Sequence, residues 1–480
     1  MSFIPSNLKS FVNKLESYSA QTVKMVPLAG RLDAGPRSQI SVDLPPAAAV
    51  LPDTFTMWAR LTTSGAGIAG ANPTVLPPQH VESLLTSVQT SINSMQIDNG
   101  PGQLYGQLFN CISDITLGGK QPERAICQLG KDITSQLTTT GSAATVVNAA
   151  TPNPIVPVFP GSTVAAGGVY DAPRARQIAI SNWLGFLNAS GGEVLDTDLC
   201  GATRITMSLA DTNVLVTNEL TTDPSTISYN LSNIFFTITV LSLSPEWYST
   251  SALFLERGGK IERKLSLWWA YQGSVIPGSY AGQKGVATGT ALTGGQATQT
   301  LNFSLGSQSI DLLIGTYLTV PDATRPFLCR YENNPQMVDY LTSTGRGSAF
   351  KRPGHIVQDY AFTVNNYQLP TFRVSRDEAF MHLLTQLGLA QDTIEGTKAS
   401  IDSLEKWNES HWMCAFSLSA QAPADSRLIS GFSSRGTNSN FSFDVTGNGV
   451  APLFNCRPTC FVRTSSSLLI SKNRMLEVVT

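Results

Sequence analysis

The sequence predicts an all-β protein with inserted helices, folded as β-sandwiches, and three observations carry that prediction. Short segments alternating apolar and polar residues recur along the chain, separated by loops rich in Gly, Pro, Ser and Asn. Only 14% of the residues are charged, against ~25% in an ordinary soluble protein, and Ser, Thr, Asn, Gln and Gly fill the deficit. Such a surface is polar without charge, as in proteins packed against copies of themselves. A chain of 480 residues also exceeds what one hydrophobic core accommodates, so two or more domains are expected.

The elements follow in order. SNLKSFVNKLESYS places Leu8, Phe11, Val12, Leu15 and Tyr18 on one helical stripe, with Ser6 or Asn7 as cap, so residues 1–24 read as an N-terminal amphipathic arm. Ile40, Val42 and Leu44 share a strand face, as do Phe55, Met57, Ala59 and Leu61. QHVESLLTSVQTSINSM spaces Val81, Leu84, Leu85, Val88, Ile92 and Met95 as a helix; further helices are expected over Leu104–Ile115 and Arg124–Leu137. Ile205, Met207 and Leu209 form another strand face. Residues 229–243, YNLSNIFFTITVLSL, put Ile234, Phe236, Ile238 and Val240 on one face. That run is broken by Thr and Ser and falls short of the ~20 apolar residues of a membrane span. It is a strand buried on one face and half-buried on the other, ended by Pro245.

SPEWYSTSALFLERGG, residues 244–259, then separates two strand-rich halves, giving domains at 25–245 and 246–480. The second half supplies strand faces at Leu265, Leu267 and Trp269; at Leu301, Phe303 and Leu305; at Tyr360, Phe362 and Val364; and at Phe441, Phe443 and Val445. WMCAFSLS, SLLISK and RMLEVV complete the strands. A capping box, Ser375 and Glu378, opens a helix carrying Phe380, Leu383, Leu384 and Leu387 on one face. Residues 139–173 and 273–299 read as long ordered loops, and no internal repeat joins the halves.

The residues also bound the chemistry. His80, His355, His382 and His411 lie far apart, in no metal-ligand spacing. There is no phosphate loop, no nucleophile elbow, and no carboxylate pair marked by its context. The expectation is a non-enzyme with no catalytic, cofactor-binding or metal-ligating residue. Net charge is −2, so no overall field holds nucleic acid. The small basic clusters (Lys260, Arg263, Lys264; Arg346, Lys351, Arg352) read as solvated loops or subunit contacts. Seven scattered cysteines and no signal peptide fit reduced thiols in a chain made inside the cell, with Cys456 and Cys460 as a buried pair. Sequons at Asn188, Asn230, Asn302, Asn408 and Asn440 are what a Ser-rich chain produces by chance.

Taken in order, four stretches resemble the major capsid proteins of the double jelly-roll class. That class spans adenovirus hexons, membrane-containing tailless phages, virophages, polinton-like viruses and giant DNA viruses. CGATRITMSLADTNVLV followed by YNLSNIFFTITVLSL resembles the closing strands of a first jelly roll. The 244–259 linker with KIERKLSLWWAYQGS resembles the entry to the second. NYQLPTFRVSRDEAFMHLLTQLG, and MCAFSLS through NFSFDV to SSLLISKNRMLEVV, are similar to later elements of that second roll. The resemblance covers about half the chain, mostly after residue 195, and implies two consecutive eight-stranded jelly rolls. It further implies homotrimers of pseudo-hexagonal outline, forming an icosahedral virion shell with long loops outward and the N-terminal arm inward. Expected partners are copies of the chain, minor capsid and penton proteins, and an internal membrane, with no specific nucleic acid. Synthesis in the host cytoplasm and assembly there or in the nucleus follow. Two alternatives stand beside it: a carbohydrate-binding or -cleaving β-sandwich, which needs clustered exposed aromatics or paired carboxylates, and a fibre-like receptor-binding protein, which needs a short repeat or a coiled-coil stalk.

Overall fold

The computed structural model describes residues 19–66, 75–76, 78, 80–116, 174–188, 194–217, 226–243, 245–277, 298–320, 350–387, 407–408, 411–419, 431–435, 439–449 and 455–479. Eight principal strands lie before the midpoint: β1 (Ser19–Met25), β2 (Gln39–Asp43), β3 (Ala49–Ser64), β4 (Leu85–Ile92), β5 (Met95–Asp98), β6 (Arg174–Ile180), β7 (Thr203–Leu209) and β8 (Ser228–Ser242). Eight more follow it: β9 (Ile261–Gln272), β10 (Thr298–Ser304), β11 (Ile310–Thr319), β12 (Val357–Val364), β13 (Tyr367–Ser375), β14 (Met413–Ser417), β15 (Asn440–Gly447) and β16 (Cys456–Ser471). The helices are α1 (Tyr105–Thr116), α2 (Pro245–Glu256) and α3 (Ala379–Gln386).

The first eight strands form two antiparallel sheets, ordered β1-β8-β3-β6 and β2-β7-β4-β5. The last eight form two more, ordered β9-β16-β11-β14 and β10-β15-β12-β13. Adding eight to each number of the first pair gives the second. Each half is therefore a jelly roll of the same winding, with short extra strands at 195–196 and 475–479 on the two sheet edges. The turns repeat as well. Asn93–Ser94 and Asn365–Asn366 join β4 to β5 and β12 to β13, all four with positive φ. That left-handed geometry matches strand twist in two-residue hairpins, and Asn tolerates it.

Alternation in the sequence becomes burial in the fold. Ile40, Val42, Phe55, Met57, Ala59, Leu61, Ile205, Met207, Ile234, Phe236 and Ile238 all lie in the first core. Tyr360, Phe362, Phe441, Phe443 and Val445 lie in the second. On β8, Asn233 adopts φ +52° at a bulge, so Leu231 and Ile234 both point inward although three residues apart. The predicted helix over Leu104–Ile115 is α1. The capping box forms as expected: the Ser375 N–H donates to Glu378 Oε2 at 3.2 Å, and the Glu378 N–H to Ser375 Oγ at 3.4 Å.

Several expectations are corrected. QHVESLLTSVQTSINSM is no helix: residues 81–84 make one 3-10 turn, followed by β4 and the start of β5. A bulge between Leu85 and Ser87 rephases β4, so Leu85, Val88 and Ile92 are buried at intervals of three and four, which mimics a helix. Ser87 and Thr90, also buried, fill face positions that a hydropathy pattern counts as polar. On β9 the buried tryptophan is Trp268, whereas Trp269 is exposed. Leu265 and Leu267 serve the first core and Trp268 the second, so the strand changes its buried face as it passes from one to the other. Residues 19–24, read as part of the arm, pair as β1 with the end of β8, Ser19 opposite Ser242. The expected helices over 6–19 and 124–137 and the loop 139–173 lie outside the described residues, apart from Ser19. Of the loop 273–299, Ile276 is buried and exchanges backbone bonds with Cys456 (2.7 and 3.1 Å).

The two cores interlock. Leu265, Leu267, Phe350, Leu468 and Ile470 of the second half join the first core, while Leu108, Cys111 and Ile115 of α1 join the second.

Candidate assembly surface

The titratable side chains converge on no reaction centre among the described residues. His382 Nδ1 sits 3.1 Å from the Tyr360 hydroxyl, and burial holds its pKa below the usual range. His80 lies edge-on to Phe109 and is buried, as is His411; His355 is half-buried. No three His, Cys, Asp or Glu side chains among the described residues are grouped to hold a metal ion. Burial pushes the thiols of Cys200 and Cys456 up to about 11 and about 12, and those of Cys414 and Cys460 upward too. Such thiols stay protonated and unreactive near neutrality. Cys414 and Cys460 each pair with Gly315, from opposite sides. They stand two strand spacings apart, about 10 Å, beyond the reach of a disulfide.

The basic clusters do not form a surface. Arg263 is buried with its guanidinium 5.0 Å over the Phe186 ring, and Lys260 pairs with Glu477 at 3.0 Å. Arg352 is fully buried and donates to the His411 carbonyl at 3.3 Å. The expectation of solvated loops therefore fails for Arg263 and Arg352. Their charged ends pack inside the subunit, where the planar guanidinium can lie on an aromatic face or meet carbonyls. Arg346 lies outside the described residues.

What the fold does build is a molecule with two unlike ends. All strand pairings are antiparallel, and in every sheet odd-numbered strands alternate with even-numbered ones. Connections from odd to even strands therefore leave at one end of each sandwich, and those from even to odd leave at the other. All but one of the first class are long: 26–38, 65–84, 99–173 and 210–227 in the first roll, and 273–297, 320–356 and 376–412 in the second, with 448–455 the short exception. The second class contains the tight links 44–48 and 93–94, matched by 305–309 and 365–366, and one longer link in each roll, 181–202 and 418–439. Both rolls present the same end the same way. Arg474, just past β16, bonds the Asp198 carbonyl and carboxylate in the connection after β6 (2.9 and 3.0 Å). At the opposite end Phe350 enters the first core and α1 the second. The rolls stand side by side, with most of their long connections on one end.

Aromatic and apolar groups at the surface complete the picture. The outer face of the first sheet carries Trp58 and Phe235, ring centroids 6.1 Å apart, among Thr56, Thr237 and Thr239, with Lys24 over the Phe235 ring. Larger apolar side chains are exposed on β13, α3, α2 and the link after β1. The sequence indicated none of these exposures, because burial side depends on which element lies opposite. No helix among the described residues is long and apolar enough to cross a membrane.

No protein-family model matches the sequence, and neither does any curated protein. Solved structures do resemble it. PBCV-1 VP54, as fitted into a reconstruction of the virophage Sputnik, aligns with TM-score 0.56 and 10% identity over 97% of each chain. The PBCV-1 virus capsid aligns with TM-score 0.54 and 10% identity, again over 97% of each chain. The Faustovirus major capsid protein aligns with TM-score 0.51 and 9% identity over 95% of this chain and 91% of its own. At these identities the likeness is one of fold, and the fold is the double jelly roll.

Proposed function

We propose that the chain is a viral major capsid protein that assembles as pseudo-hexameric homotrimers into an icosahedral shell. One observation carries the reading: a single chain holds two jelly rolls of the same strand order, side by side, with most of their long connections on one end. Three such chains present six near-equivalent units, enough to tile a hexagonal lattice. The charge-poor surface suits repeated homotypic contacts, whose buried centres are depleted of charge. The fold likeness to capsid proteins of PBCV-1 and Faustovirus supports the same reading.

In this proposal the working units are an arm over 1–18, a first roll that begins with β1 at Ser19 and runs to 245, and a second over 246–480. No residue is catalytic, and no cofactor or metal is used. The partners are neighbouring capsomers, minor capsid and penton proteins, and an internal membrane met by the arm. The site of action is the virion, after synthesis in the host cytoplasm and assembly there or in the nucleus. Light scattering and negative-stain microscopy of the purified protein test it. Compact trimers of hexagonal outline are expected; monomers or elongated rods at all concentrations overturn it.

A further inference from the structure

The turn after β6 is where the two rolls meet, and two buried side chains of the first roll hold it in place. Leu184 packs against both cores, and its N–H donates to the Tyr105 hydroxyl oxygen at 2.9 Å. Gly185 follows with φ +79°, and the Phe186 N–H then donates to Asp98 Oδ2 at 2.7 Å. A β-carbon on Gly185 would collide with that same oxygen, so the turn is pressed onto the carboxyl. Beyond it the Phe186 ring lies under the Arg263 guanidinium of β9, 5.0 Å away, and Leu265 and Leu267 of that strand enter the first core. Residues 184–186 thus carry a contact with the second roll, and Asp98 and Tyr105 carry residues 184–186.

The surroundings of Asp98 are hostile to a negative charge. The carboxyl is buried, and its other oxygen accepts the Gly100 N–H at 2.7 Å. Glu82 and His80, at the 3-10 turn before β4, are buried too, with His80 edge-on to Phe109. Burial first, and then the charges of Glu82 and Asp98, push the Tyr105 hydroxyl far upward against the Leu184 bond, so it stays a phenol. Two carboxyls and a phenol therefore share one dry region, while Arg263, the cation that β9 brings, faces the Phe186 ring. Dry surroundings and like-charged neighbours both favour the neutral carboxyl. Burial accordingly raises Asp98 to about 6, against the two N–H bonds. Opening the turn lets water reach the carboxyl and removes that penalty.

We propose that Asp98 and the 184–186 turn form a latch between the rolls, shut while the carboxyl keeps its proton and released when the proton leaves. On release the Phe186 ring withdraws from Arg263 and water reaches Asp98, with the sheets intact. The sign follows from the two states. Shut, the carboxyl titrates at about 6; open and solvated, it titrates near ~3.9. The shut state is therefore fully favoured below pH ~4 and loses ground as pH rises through about 6. Every group belongs to one chain, so the latch stands or falls apart from the homotrimer. In the proposed shell it makes each capsomer tighter in mild acid than at neutrality.

Hydrogen exchange of the full-length chain, read peptide by peptide by mass spectrometry, tests the latch. Protection factors, which remove the intrinsic pH dependence of exchange, are compared for wild type and Asp98→Asn between pH ~4 and ~7. In the wild type, protection over 184–188 is expected to fall by at least about tenfold across that range, one pKa unit being tenfold. Protection over 441–445, in the second core, is expected to stay constant. In Asp98→Asn the fall at 184–188 is expected to vanish, whatever its absolute protection. Gly185→Ala, which forces the turn off the carboxyl, is expected to expose 184–188 at every pH. If Asp98→Asn does not fold, the wild type alone decides, because 184–188 either loses protection relative to 441–445 or does not. Constant protection at 184–188, or an equal fall in Asp98→Asn, overturns the latch. An equal fall throughout both rolls is a global loss of stability and overturns it too.

Discussion

The ring of Phe443 on β15 rests against the α-carbon of Gly315 on β11, so closely that a β-carbon there would lie 2.5 Å from it. The two residues belong to opposite sheets of the second roll, and their contact sets how near the sheets approach. Phe443 also stacks on Phe362 at 5.2 Å, which blocks the ring on that side. Gly315→Ala is therefore expected to overpack the core and cost about 1–3 kcal/mol. Phe443→Ala is expected to cost about 3–5 kcal/mol through its cavity. Denaturant titration of both variants checks this; a midpoint unchanged in Gly315→Ala refutes the close approach.

Asp98 predicts a pH dependence. Burial raises its carboxyl to about 6, against the opposing bonds from the Phe186 and Gly100 N–H groups. A raised carboxyl favours folding in its protonated form. Its contribution is fully present below pH ~4 and is lost as pH rises through about 6. Relative to Asp98→Asn, the wild type should lose stability between pH about 4 and about 6. A wild-type-minus-variant difference that stays flat across that range contradicts it.

The joint between rolls should be apolar in its energetics. Arg474 and Asp198 are both more than half exposed, and such pairs contribute about 0–1 kcal/mol. Arg474→Ala should therefore move the unfolding midpoint little, and high salt should not part the rolls. Phe186, buried under Arg263, should cost about 3–5 kcal/mol when cut to Ala. The reverse ranking in thermal unfolding would show the ion pair to be the stronger clamp.

Loop deletions must respect Ile276, whose burial ties residues 273–277 to the second core. Removing 278–295 while keeping Ile276 should leave a cooperative unfolding transition and weaken the homotrimer. Light scattering decides: an equally stable trimer makes the loop dispensable for association.

Replacing His355, His382 or His411 should alter stability only. His382→Ala leaves the Tyr360 hydroxyl without its 3.1 Å partner, at a cost of about 1–3 kcal/mol. A hydrolytic or transfer activity lost with any one of these histidines would overturn the structural role.

By itself the sequence determined the strands with clean alternation, such as Phe55 to Leu61 and Phe441 to Val445, because side-chain direction in a strand is a local property of period two. It determined α1 and the capping box before α3 for the same reason, since caps and stripes span only a few residues. Tertiary structure decided the rest. Bulges at Leu85/Ser87 and Asn233 rephased two strands, and each exists only because a partner strand demands its register. Trp268 rather than Trp269 is buried because a second core lies beside that stretch of β9. The repeat of strand order left no repeat in sequence, since a sandwich needs matching pattern and volume and not matching residues. The joint and the exposed apolar side chains were invisible for a related reason. Which side of Val26, Phe372 or Met381 meets protein depends on elements hundreds of residues away, and no local pattern records that distance.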